Sequence, residues 1–127
     1  MTTLYRDQPN GLEGNDDCGQ MSAWYVFSAI GFYPVCPGSD EYVIGSPIVD
    51  KAVMHFENGK SLTVQVVNNS KNNIYIASAK LNGVNYTKSY LKYDDIVKGG
   101  ELEFTMSATP NKDWGSAEGS IPVSKIE

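Results

Sequence analysis

Residues 14–34 read GNDDCGQMSAWYVFSAIGFYP, a polar loop with two adjacent carboxylates running directly into an apolar stretch. Asp17 is placed to be a helix N-cap, its side-chain oxygen accepting a first-turn backbone N–H. Gln20, three residues on, is placed to reach back and complete a capping box. Beyond them Met21, Trp24, Tyr25 and Ser28 fall on one face at helical spacing, while Val26, Phe27, Ala29 and Ile30 make the other sides apolar too. A helix that is apolar nearly all round is a buried helix. Gly31 supplies the left-handed residue that ends it, and Pro34 bars any continuation. The pattern predicts a carboxylate-bearing loop held by a helix sunk in a protein body, with the positive end of the helix dipole keeping Asp16 and Asp17 ionised.

Downstream the period changes from helical to alternating. Residues 35–40 carry Pro37 and Gly38 and read as a connector. Residues 41–44 are a short β-type run ended by Gly45 and Pro47. Along 51–57, Ala52, Met54 and Phe56 lie on one side and Val53 and His55 on the other. Asn58-Gly59 follows, the strongest short hairpin signal, and 61–67 returns with Leu62, Val64 and Val66 on one face. A polar loop over 68–73 leads to a strand over 74–81, then Asn82-Gly83 and a partner strand over 84–91. Residues 93–100 read as a loop or single turn around Ile96, and 101–106 alternates Leu102, Phe104 and Met106 inward. The predicted fold is mainly β: a loop and one buried apolar helix over 1–39, an antiparallel β-sandwich over 40–115, and a poorly ordered tail over 116–127.

The 127 residues suffice for one domain with a core of its own. A hydrophobic share of 41% and a charged share of 20% are those of a globular protein. Net charge is −5 with no basic run, which argues against nucleic acid or an anionic membrane surface as partner. No segment approaches the roughly 18 apolar residues of a membrane span, and the first residues, MTTLYR, lack the apolar core of a signal peptide. Cys18 and Cys36 flank the helix, whose ends lie about 20 Å apart, so they can pair only if Cys36 folds back along it.

The run GNDDCGQMSAWYVFSAIGFYPVCPGSDEYVIGSP, with FENGK, NNS, LNG and the late MSATPNKDWG, closely resembles the C-terminal part of the glycoside hydrolase family 92 α-mannosidases. The resemblance covers roughly residues 5–115 and rests chiefly on its long first motif. It implies a calcium-dependent, exo-acting mannosidase that inverts the anomeric centre, acts on mannose-containing glycans of α-1,2 type, and is periplasmic or secreted. Family members combine a β-sandwich with an (α/α)6 barrel and are several times longer, so this chain reads as a C-terminal fragment whose helix ends the barrel.

Inverting hydrolysis needs one carboxyl group to protonate the leaving oxygen and another to deprotonate a water. The resemblance gives the base to this motif: Asp17 is the candidate, Asp16 the runner-up, with Asn15 and Gln20 as substrate contacts. The acid is not identifiable; Glu13 is near in sequence but has no supporting motif. Calcium takes about six to eight oxygen ligands, of which Asn15, Asp16 and nearby carbonyls offer a partial set. His55 reads as an exposed strand residue, and with Cys18 and Cys36 it lacks zinc-site spacing. Trp24 and Tyr25 read as core rather than sugar platforms, while Trp114 fits either role. The other readings are a non-catalytic carbohydrate-binding sandwich and a structural piece completing a partner chain. The aromatic helix over 21–32 is expected to self-associate or to pack on the missing N-terminal part.

Overall fold

The computed structural model describes residues 3–123. Helix α1 (Gln20–Ile30) ends where the Gly31 N–H donates to the Phe27 carbonyl, and the chain passes at once into β1 (Phe32–Tyr33). β2 (Glu41–Ile44) pairs antiparallel with β1 on one side. The remaining strands are β3 (Lys51–His55), β4 (Ser61–Val67), β5 (Tyr75–Leu81), β6 (Val84–Tyr86), β7 (Tyr90–Lys92) and β8 (Gly100–Ser107), with the short helix α2 (Tyr93–Val97) between the last two. They make a three-stranded sheet, β1-β2-β7, and a five-stranded sheet, β3-β4-β8-β5-β6. One core lies between the sheets: Phe32 and Leu91 meet Leu62, Val64, Val66, Ala79, Leu102, Phe104 and Met106, with Ile96 of α2 closing one end. The inward faces expected for β3, β4 and β8 are the inward faces found.

Three details depart from the expectation. First, β4 and β8 pair in parallel, Leu62 opposite Gly100 through Val67 opposite Thr105, so the larger sheet is mixed rather than wholly antiparallel. Alternation tells which face of a strand is apolar, but not its neighbour or direction. Second, the run 84–91 is divided between the sheets. Its first three residues pair with β5 across a turn in which Asn82 and Gly83 both have positive φ, and the chain then crosses to pair as β7 with β2. At Asn58-Gly59 only Gly59 is left-handed. The β3–β4 connection is a five-residue loop, the Gly59 N–H donating to the Phe56 carbonyl and the Phe56 N–H to the Lys60 carbonyl. Third, residues 116–123 are held down. The Ser120 carbonyl accepts both the Ser89 N–H at 2.8 Å and the Ser89 hydroxyl, and the Val123 N–H donates to Glu41. Residues 124–127 lie outside the described residues.

Helix α1 is not sunk in a body of this chain. Its C-terminal end packs on the core through Phe27 and Ile30, with Ala29 buried. Its other half stands clear: Val26 is 55% exposed, and Trp24 and Tyr25 are only partly covered, by the Tyr5 ring. The aromatic pair expected in the core therefore lies outside it. Residues 1–39 are not set apart from the sandwich either, since β1 is one of its strands and Phe32 is 1% exposed.

The entry to β8 is sterically tight. Gly99 has φ +75, and a Cβ there would stand 2.6 Å from the Ser61 carbonyl oxygen, whereas one on Gly59 would meet open space at a similar φ of +76. Gly99→Ala is therefore expected to destabilise the chain by about 2 kcal/mol or more, against about 1 kcal/mol for Gly59→Ala. Urea midpoints at unchanged m-value measure both, and equal losses would show that the close approach at Ser61 is not a constraint.

Candidate active site

The carboxylate loop reaches α1 through a 3₁₀ turn, Asp17–Gly19. Within it Cys18 and Gly19 are both left-handed, with φ of +55 and +78. That double left-handed step folds the loop back over the helix end. Asp16, three residues ahead of the Gly19 cap position, thereby does the work expected of Asp17: its Oδ1 accepts the N–H groups of Met21 at 2.8 Å and Ser22 at 3.0 Å. Its Oδ2 accepts the Ser22 hydroxyl. The capping box through Gln20 does not form; Gln20 is exposed, and its N–H donates to the Asp17 carbonyl. The Gly19 N–H donates to the Asp16 carbonyl at 2.9 Å, so backbone bonds hold the turn on both sides of Asp17. A non-glycine residue in the left-handed region costs on the order of 1 kcal/mol, and the bonds centred on Asp16 offset that cost at Cys18.

The adjacent carboxylates thus sit in different surroundings. Asp16 is spoken for at both oxygens, and its carboxyl is held below the ordinary range, first by the Ser22 hydroxyl and then by the Ser22 and Met21 amides. The Asp17 side chain is exposed and accepts no hydrogen bond among the described residues, and Asn15 is exposed beside it. Glu13 pairs with Arg6 at 3.6 Å. Below the loop, Tyr5 donates its hydroxyl to the Met21 carbonyl at 3.1 Å and lies on Trp24 and Tyr25, with ring centroids at 5.7 and 4.9 Å. Tyr5 and Tyr25, with Leu12, Ser22 and Val26, border an open groove along the exposed side of α1.

No three His, Cys, Asp or Glu side chains gather as a metal-binding group among the described residues. Asp16 Oδ1 already accepts two N–H groups. These residues alone do not fit a calcium ion. Cys18 and Cys36 are free thiols, and His55 is an exposed residue at the end of β3. Trp114 serves the fold: its indole N–H donates to the Tyr86 carbonyl at 2.9 Å and its ring packs on the core.

A model of the glycosyl hydrolase family 92 catalytic domain matches residues 1–108. The chain belongs to glycoside hydrolase family 92. Over 123 residues this family 92 chain is 36% identical to an uncharacterized secreted glycosidase of Arthroderma benhamiae, the match taking in 94% of this chain and 16% of that protein. It superposes with a TM-score of 0.91 on a family 92 α-mannosidase from Bacteroides thetaiotaomicron in complex with mannoimidazole, at 46% identity over 97% of this chain and 16% of that one. For the family 92 inverting mannosidase from the same organism the TM-score is 0.87, at 45% identity, over 97% of this chain and 17% of that one. The family 92 chain therefore spans only 16–17% of the length of these relatives.

Sequence reading found both carboxylates and missed what separates them. The exchange of the capping role depends on the left-handed Cys18, and nothing in a Cys codon position announces a positive φ. Ser22 and Tyr5 were missed for the same reason: each acts on a residue at a distance that only the folded-back loop makes short.

Because hydrogen bonds to its ionised form hold the Asp16 carboxyl below 3.8, it contributes stability that is present above its unfolded value and lost as pH falls through its folded value. Carboxyl-carbon NMR of the chain is expected to show Asp16 titrating below 3.8, with Met21 and Ser22 amides losing exchange protection in the same step. An Asp16 midpoint at or above that value would mean that the three bonds do not persist in solution.

Proposed function

We propose that the intact protein is an exo-acting α-mannosidase that removes terminal α-linked mannose, of α-1,2 type, from glycans with inversion, and that Asp17 is its general base. The observation that carries this is the division of the acidic pair. Asp16 is consumed by the helix end, while Asp17 is fixed by backbone bonds and keeps a free carboxylate. A base in an inverting glycosidase must leave an oxygen open to a water on the far face of the sugar, about 6.5–9.5 Å from the acid. Asp17 meets the first of these requirements with both oxygens, whereas Asp16 already accepts three hydrogen bonds and meets it less well.

The remaining parts of the reading follow from the family. Asn15 and Gln20 are both exposed, and in this reading they contact sugar hydroxyls. The acid, most of the mannose pocket and the main ligands of a calcium ion lie outside this chain in this reading, which offers Asn15 as this segment's contribution. The protein acts outside the cytoplasm, as the name of the Arthroderma relative says of that protein. The exposed half of α1, with Trp24, Tyr25 and Val26, is the surface by which this segment joins the rest of the enzyme; in isolation it is the surface through which two copies associate.

On this reading the 127-residue chain alone turns over no aryl α-mannoside, since it holds a base without an acid. In the longer enzyme Asp17→Asn lowers kcat by about 10²–10⁴-fold. Turnover by the isolated chain clearly above that of its Asp17→Ala variant would overturn the proposal. Sedimentation equilibrium of the isolated chain is expected to report a dimer or larger species; a monomer at high micromolar concentration would remove α1 as an association surface.

A further inference from the structure

We propose that Ser22 is a positioning residue for hydrolysis: through its hydroxyl and amide it fixes the Asp16 carboxylate, and through Asp16 the turn that presents Asp17. This rests on the assignment of Asp17 as general base.

The connection closes a ring. The chain runs from Asp16 through Asp17, Cys18, Gly19, Gln20 and Met21 to Ser22, and the Ser22 hydroxyl and N–H return to the two oxygens of Asp16. Asp17 is the first link of that ring. A smaller loop lies inside it, closed by the Gly19 N–H on the Asp16 carbonyl at 2.9 Å. Capping α1 explains only part of this. A cap has to satisfy first-turn amides, and Asp16 Oδ1 does so with the Met21 and Ser22 N–H groups. The hydroxyl bond to Oδ2 satisfies no backbone group. It fixes the second oxygen, and with it the plane of the carboxylate.

Two consequences follow from that geometry. The Asp16 carboxylate cannot rotate about its terminal torsion, otherwise a soft one, without breaking the hydroxyl bond. With Oδ1 holding two amides and Oδ2 the Ser22 hydroxyl, Asp16 also competes less well than Asp17 for the same water. Removing the hydroxyl alone leaves both amide bonds, so the helix end survives while the carboxylate plane and the adjacent turn loosen. Displacements well under a helical turn at a base are enough to lower a rate by about tenfold or more.

The test uses the longer enzyme proposed above for kinetics and this chain for NMR. Ser22→Ala is expected to lower kcat at least ~10-fold with KM changed less than about twofold, and Ser22→Thr, which keeps a hydroxyl, to restore kcat to within about threefold of the parent. In the chain, Ser22→Ala should move the Asp16 titration up toward 3.8 while the Met21 amide stays protected, and Ser22→Thr should leave it low. An unchanged kcat in Ser22→Ala overturns the proposal. So does a Ser22→Thr enzyme that keeps the low Asp16 titration without recovering kcat. An Asp17→Asn enzyme with full activity would sink the base assignment itself, whereas an inactive Asp17→Asn beside an unaffected Ser22→Ala sinks only the role of Ser22.

Discussion

The structure depends on the burial of β8 between β4 and β5. It is the last strand among the described residues, yet it occupies the middle of the larger sheet, and its Leu102 and Phe104 are fully buried. Neither neighbour reaches the other without it: β4 pairs with it in parallel and β5 antiparallel. The two sheets, the helix end and the strap over 116–123 are all fastened to a core that forms only once this strand is inserted. Such non-local pairing makes loop closure the expensive step in folding. The glycines at its start explain how the chain gets in. Gly99 lies against the Ser61 backbone, and Gly100 lies against the Asn82 side chain, whose Oδ1 accepts the Glu101 N–H at 2.9 Å. The tip of one hairpin thus sets the register of the strand that locks the sheet.

Most of this was legible in the sequence because the apolar residues of β3, β4 and β8 alternate strictly and nothing else competes for their inward faces. Strand partners were less legible. Asn82-Gly83 fixed a two-residue turn, because both residues accept positive φ. The strand after it breaks where no turn dipeptide marks the break, and the division at 87–89 is visible only through what it joins: Ser89 to Ser120, and Tyr86 through its hydroxyl to the Tyr90 carbonyl at 2.7 Å. Composition predicts a loose tail, whereas its described part, 116–123, is held down through Ser120 and Val123. Ser120 is buried because its neighbours' backbone needs a partner, a demand that a Ser-Gly-Pro composition does not reveal.

Helix α1 shows what a sequence pattern cannot say about its own surroundings. Its all-round apolar character correctly indicates a helix meant to be covered on more than one side. This chain covers only the side carrying Phe27, Ala29 and Ile30. Tyr5 shields part of the remainder by lying on Trp24 and Tyr25. A chain spanning 16–17% of its relatives has a reason for such a half-covered helix that an independent domain would lack. On the reading proposed above the helix is a joint: one end is keyed into the sandwich core, and the other presents aromatic area beside the carboxylate loop.

The same joint explains why two identical neighbours in sequence carry unlike duties. A helix end creates a demand for acceptors at its first amides. The nearest carboxylate by sequence is Asp17, and an ordinary extended approach would have spent it there. The left-handed pair Cys18 and Gly19 reverses the chain so that Asp16 is delivered instead. Asp17 is left at the outside of the turn with its backbone held and its side chain free. Backbone handedness at two residues, rather than the chemistry of either aspartate, decides which of them is structural and which is available to solvent. A substitution that relaxed Cys18 out of the left-handed region would return the cap to Asp17 and, on the reading offered here, remove the base without touching a carboxylate.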